Sequence, residues 1–158
     1  MRKFEKISFE EFKKSVSEDK ELYEKYDLPK RNTKYSAGYD FSSLIEKNLA
    51  PGESVLIPTG IKASLEKDDV LLIVIRSSLG FKYNIRLVNQ VGVIDSDYYN
   101  NESNEGHILI KLKNEGDKDY LIEKGSRIAQ GIIVKYNIVD DEEESMEERK
   151  GGIGSTNK

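Results

Sequence analysis

Four short apolar runs, Ser54–Ile57, Val70–Ile75, His107–Leu112 and Ile132–Val134, are β-branched or alternate polar with apolar side chains. Between them stand Pro51-Gly52-Glu53, Thr59-Gly60, Asn114-Glu115-Gly116-Asp117 and Lys124-Gly125, all of them turn chemistry. Many short strands joined by close turns predict an all-β sandwich or barrel from about residue 35 to 136. No segment is long enough to be the helix of a βαβ crossover. Ahead of this region the pattern changes: Phe9, Phe12 and Val16 recur at helical spacing, and Ser8 with Glu11 makes a capping box. One or two short helices are expected there, ended by Pro29. The chain thus divides into a helical extension at 1–27, a β domain at 28–139, and an acidic linker with a flexible, glycine-rich arm at 140–158.

A length of 158 residues supports one domain with a real core. With 29 acidic and 25 basic residues the net charge is -4, so no global basic field favours nucleic acid. Much of that acidity is local, in Asp140-Asp141-Glu142-Glu143-Glu144 with Glu147 and Glu148. The remainder is close to neutral, which suits an anionic small molecule held at one focused site. The chain has no cysteine, which removes disulfides and thiolate zinc sites. No apolar run approaches membrane-spanning length, and the charged start lacks an apolar signal core. A soluble, cytoplasmic protein with no membrane partner is expected.

Gly92-Val93-Ile94-Asp95-Ser96-Asp97-Tyr98 reads as a strand running into a turn, and it carries two carboxylates. An ionised carboxylate in such a place needs a partner, a metal or a task, which makes Asp95 a candidate catalytic residue. Ser36-Ala37-Gly38-Tyr39-Asp40 puts another carboxylate at the start of a strand. Arg76-Ser77-Ser78-Leu79-Gly80 follows the most apolar strand with a guanidinium and two hydroxyls, suitable equipment for phosphate oxygens. Gly125-Ser126-Arg127-Ile128-Ala129-Gln130 enters another strand bearing a side-chain amide. Arg149-Lys150-Gly151-Gly152-Ile153-Gly154-Ser155-Thr156 combines cations, glycines and hydroxyls, a composition able to close around an anion. His107 is the only histidine, so a Ser-His triad has no other candidate base and a structural role is expected.

In this order and spacing the segments, from Leu28-Pro29-Lys30-Arg31 to the C-terminus, resemble the five motifs of the trimeric dUTP diphosphatase (dUTPase) family. The resemblance implies a distorted jelly-roll-like β-barrel, a homotrimer with shared active sites, and Mg²⁺-dependent hydrolysis of dUTP to dUMP and pyrophosphate. That reaction keeps uracil out of DNA and supplies dUMP for thymidylate synthesis. By position, Asp95 would activate the attacking water, and Asp40 would act behind the contact layer, pairing with Arg76 or a metal-bound water. Arg76, Ser77, Ser78 and Gln130 would contact phosphates, joined by Arg149, Ser155 and Thr156. A hairpin between Asn84 and Asp95, including Asn89, Gly92 and Ile94, would read uracil. Asn84, where the family often has glycine, is expected to be left-handed. Tyr98 would pack under the deoxyribose and leave no room for a 2′-hydroxyl. Mg²⁺ would be held mainly by substrate phosphates and water, with no dedicated protein cage.

Three features depart from the family pattern. Ile153 replaces the phenylalanine that covers uracil. Glu148 stands where the arm's arginine usually lies, with Arg149 one residue nearer the glycines. The loop 98–106 is longer than the common form and reads as solvated. Two alternatives accompany the main reading: a dCTP deaminase of the same fold, and a dUTPase-like regulatory protein that binds a protein partner.

Overall fold

The computed structural model describes residues 1–141. In chain order, β1 (Lys3–Lys6) leads into α1 (Phe9–Ser15) and α2 (Lys20–Lys25), followed by β2 (Lys30–Arg31), β3 (Tyr39–Ser42) and β4 (Lys47–Leu49). Then come β5 (Ser54–Pro58), β6 (Ile61–Ser64), β7 (Asp69–Ile75) and α3 (Ser77–Tyr83). β8 (Ile85–Leu87), β9 (Gly92–Asp95), β10 (Leu109–Asn114), β11 (Tyr120–Ile122) and β12 (Arg127–Lys135) follow within the described residues. The class is all-β, as the strand runs imply. Among the described residues the strands do not close into one ladder. They form a five-stranded sheet ordered β2-β3-β12-β7-β9, a three-stranded sheet β5-β10-β8, and two pairs, β1-β6 and β4-β11.

The core between these layers is aliphatic. Leu71, Ile73, Ile110 and Leu112 project from the alternating positions of β7 and β10, with Phe41, Ile57 and Ile122 packed among them. The expected turns are present: Gly52, Gly60 and Gly125 all take positive φ, at 80°, 71° and 81°. Asn114 ends β10, and its buried amide donates to the carbonyls of Leu49 and Lys118, each at 2.8 Å.

Two expectations need correction. The segment ahead of Phe9 is a strand, not helix: Lys3 to Lys6 pair with Ser64 to Ile61. A lone Phe4 among charges carries no legible period, and the pairing is supplied by a distant edge. Arg2 also forks onto the buried carboxylate of Asp69, with Nη2 at 2.9 Å from Oδ1. Second, His107 precedes β10 rather than lying in it. A short helix, α3, follows Arg76 at the end of β7, although Gly80 at its centre weakens the helical signal. The helix ends at Asn84, whose φ of 53° and ψ of 33° are the left-handed values anticipated for it.

The capping box of α1 is half formed. Ser8 Oγ accepts from the N–H of Glu11 at 3.1 Å, but the N–H of Ser8 donates to Glu105, not to Glu11. Around this helix Ile7, Phe12 and Leu44 form a second small core with Phe9, Tyr23 and Tyr26.

Candidate active site

Strand pairing gathers one group of predicted residues. Gln130 of β12 lies opposite Asp40 of β3 on one side and Val74 of β7 on the other, and Arg76 follows the end of β7. Asp40 Oδ1 meets Arg76 Nε at 3.2 Å, and its Oδ2 accepts from Arg127 Nη1 at 3.1 Å. One carboxylate therefore aligns two guanidiniums and leaves the group with a net positive charge. Charge-assisted contacts of this kind fix the forks for further acceptors. Arg127 also donates to Asn32 Oδ1 at 3.2 Å. An open hollow beside them is lined by Asp27, Lys30, Arg31, Asp40 and Arg127. Ser77 and Ser78 are exposed in the first turn of α3.

Gly38 explains how closely these parts approach. A Cβ built there would sit 2.2 Å from Gln130 Oε1, so only glycine lets the amide occupy its position. Arg127 was within a motif segment but had no role assigned from sequence. The signal was its pairing partner. β12 bulges between Arg127 and Ala129, and such an irregularity re-aims a side chain in a way that spacing alone does not reveal.

Asp95 stands elsewhere. β9 runs antiparallel to β7, with Gly92 opposite Ile73 and Asp95 opposite Val70. The six residues from Val70 to Arg76, at about 3.3 Å each, separate the two ends by roughly 20 Å. Within one chain, then, the candidate base and the guanidinium group lie at opposite ends of β7. Gly92 is buried, and a Cβ there would approach that of Ile73 to 3.1 Å. The expected hairpin is also revised, because its arms belong to different sheets: β8 pairs with β10 and β9 with β7. The turn between them includes exposed Asn89, whose carbonyl accepts from the N–H of Val91 at 2.7 Å, and Gln90 at a φ of 63°. Ile94 and Asp95 are half-buried.

Tyr98 is 6% exposed, at the end of a short 3-10 turn, Ser96–Tyr98. Its hydroxyl donates to the carbonyl of His107 at 3.1 Å and accepts from Asn104 Nδ2 at 2.9 Å. His107 is buried, and its Nε2 accepts from the N–H of Gly60 at 2.9 Å. Burial lowers its pKa to about 4, against a smaller opposing pull from Glu105. A neutral ring is what the hydrogen bond from Gly60 requires. The reading of 98–106 as a solvated loop is corrected: Asn101 is buried, donates to the Tyr98 carbonyl at 2.9 Å, and accepts from the N–H groups of Ser103 and Asn104.

No group of three or more His, Asp or Glu side chains among the described residues could enclose a metal. Asp40, the carboxylate nearest this group, is engaged with two guanidiniums. Arg149, Ile153, Ser155 and Thr156, with Glu148, lie outside the described residues. No helix among the described residues is long and apolar enough to cross a membrane.

Comparison with known proteins gives a consistent result. Residues 24–157 match the dUTPase family model. The deoxyuridine 5'-triphosphate nucleotidohydrolase of Lactococcus lactis is 48% identical over 130 residues, covering 82% of this chain and 87% of that protein. The enzyme of the same name from Shewanella woodyi is 39% identical over 144 residues, 86% of this chain and 90% of its own. The crystal structure of dUTPase from Streptococcus mutans superposes with a TM-score of 0.71 at 39% identity, covering 87% of this chain and 98% of that one.

Proposed function

Since the chain belongs to the dUTPase family and is a dUTP-hydrolysing enzyme, we propose that it works as a homotrimer whose sites each combine Asp95 of one subunit with the Asp40–Arg76–Arg127–Gln130 group of another. The observation that carries this reading is the register of β7, which sets Asp95 opposite Val70 while Arg76 follows the far end. A triphosphate cannot span roughly 20 Å from attacked phosphorus to its guanidiniums, whereas a symmetric neighbour can bring the other half close. Val91 and Val93, exposed by 42% and 58% beside the turn that leads to Asp95, suit a surface covered in such an assembly.

In the proposed reaction Asp95 accepts a proton from a water aligned on the α-phosphorus. The new oxygen–phosphorus bond forms as the bond to the bridging oxygen breaks, giving dUMP and pyrophosphate. Arg76, Arg127 and Gln130, with the hydroxyls of Ser77 and Ser78, hold the phosphate oxygens. Charge that develops on the leaving pyrophosphate is thereby met by fixed donors. Mg²⁺, when bound with the nucleotide, supplies further charge compensation. Backbone groups near Asn89, Gly92 and Ile94 read the uracil edge, and the Tyr98 ring excludes a 2′-hydroxyl. Arg149, Ser155 and Thr156 would add phosphate contacts, with Ile153 as an aliphatic cover.

The test is complementation. Asp95→Asn and Arg76→Ala are each nearly inactive in this reading. Subunits of the two, dissociated and reassociated at equal amounts, form sites that are intact with a probability of about one quarter, one half times one half. Recovery of about a quarter of wild-type pyrophosphate release supports shared sites. Absence of recovery in a reassociated trimer means that each site is built within one chain.

A further inference from the structure

Residues 1–23 fall outside the family match, yet they are tied to the sugar end of the site by hydrogen bonds to Glu105, whose chain neighbour Asn104 bonds to Tyr98. Ser8, the cap of α1, gives its N–H to Glu105 Oε2 at 2.9 Å and its hydroxyl to the other oxygen of the same carboxylate. Lys62 completes the arrangement, with Nζ at 3.3 Å from Glu105 Oε2 and 2.7 Å from Asn100 Oδ1. Tyr99 donates its hydroxyl to Glu5 of β1. The residue next to Glu105 is Asn104, and its amide donates to the Tyr98 hydroxyl at 2.9 Å and to the His107 carbonyl at 3.3 Å.

The backbone around Glu105 is also fixed. Glu105 holds a φ of 58°, an uncommon value for a residue with a side chain. It is held by the two bonds to Ser8 and the backbone bonds of Glu105 N–H to the Asn101 carbonyl and of Asn100 N–H to the Glu105 carbonyl, both 3.0 Å. Burial would raise the carboxyl pKa of Glu105, but the bonds from Ser8 and Lys62 together hold it below the ordinary range. It therefore remains a charged acceptor at neutral pH.

We infer that Asn104 and Glu105 are positioning residues for Tyr98, and that the N-terminal segment, through Ser8 and Glu5, braces the ring whose placement decides how strictly UTP is refused. The inference rests on the reading above that Tyr98 packs against the deoxyribose. Steric refusal of a hydroxyl group depends on rigidity: a ring that yields by about an ångström admits the extra oxygen, while the smaller substrate is hardly affected.

The experiment uses the full chain and compares kcat/KM for dUTP and UTP by pyrophosphate release. Glu105→Ala and Asn104→Ala are each expected to lower the dUTP/UTP ratio about tenfold, mainly through better use of UTP, with kcat for dUTP changed by less than about threefold. Glu105→Gln, which keeps an acceptor for the Ser8 N–H, restores part of the ratio. In a Tyr98→Phe background Asn104→Ala adds less than about twofold, because both changes break the same contact. Should Glu105→Ala not fold, Ser8→Ala removes one of the two bonds and lowers the ratio about threefold. An unchanged ratio in these variants, alongside a lowered ratio in Tyr98→Ala, overturns the brace. An unchanged ratio in Tyr98→Ala sinks the underlying reading of Tyr98 as well.

Discussion

The two ends of β7 are built on different principles. At the Arg76 end, a largely buried carboxylate aligns two cations, and Gly38 leaves the space that the Gln130 amide fills. At the Asp95 end the side chains are packed: Gly92 presses on Ile73, and the Tyr98 hydroxyl is held by an ordered loop and by the carbonyl of a buried histidine. The first end suits a flexible, highly charged triphosphate, whose oxygens tolerate small displacements. The second suits a base and sugar, where shape must discriminate between nearly identical molecules. On the proposed roles, the contrast separates binding by charge from selection by shape.

Four experiments press on that contrast. The largest effect is expected for Asp95→Asn, which keeps the shape of its end but removes the proton acceptor. Loss of about 10³-fold in kcat, with dUTP still bound in equilibrium titration, is the outcome for a general base. Next, Arg76→Ala should lower kcat/KM for dUTP by about 10²-fold and for UTP by the same factor, since phosphates are common to both. A change in the dUTP/UTP ratio there would show that the ends are not separable. Gly38→Ala should move the Gln130 amide at a cost under about 1 kcal/mol in thermal stability, because a flexible side chain can yield. A fall of about tenfold in kcat/KM is expected, again without change in selectivity.

The smallest effect at neutral pH concerns His107. Its folded pKa of about 4 lies below the ordinary value of 6.5, so the folded state binds the proton less readily than the unfolded chain. The stability associated with the neutral ring is complete above about pH 6.5 and is lost as pH falls toward 4, by up to ~3 kcal/mol. Thermal unfolding followed over that window should show this slope, and His107→Gln should flatten it. The chain has a single histidine, so His107→Gln separates this contribution from that of the carboxylates, whose ordinary values of about 4 place their titration at the lower end of the same window.

Some of the site was legible from the residues. Asp40 meets Arg76, Asn84 is left-handed, and the strands begin and end within a few residues of the apolar runs. The last two are local matters, set by φ preferences and alternation, whereas the Asp40–Arg76 pair was implied by the family resemblance and is made by strands distant in sequence. Arg127 was not assigned because its relation to Asp40 depends on pairing between strands far apart in sequence. The partner of the Ser8 N–H is hidden for the same reason: Glu11 is three residues away, but Glu105, 97 residues on, makes the bond. The loop 98–106 looked solvated because polar residues in a loop read alike whether they face water or one another.

By itself, then, the sequence determined the all-β class, the order of its turns and the chemistry carried by each motif, since these follow from local propensity and side-chain type. Tertiary structure decided which motifs meet. Register along β7 parted Asp95 from Arg76, and the docking of the N-terminal segment made a loop into a support for Tyr98. Both depend on contacts between residues distant in the chain, whose free energy is realised only when the whole core closes around them.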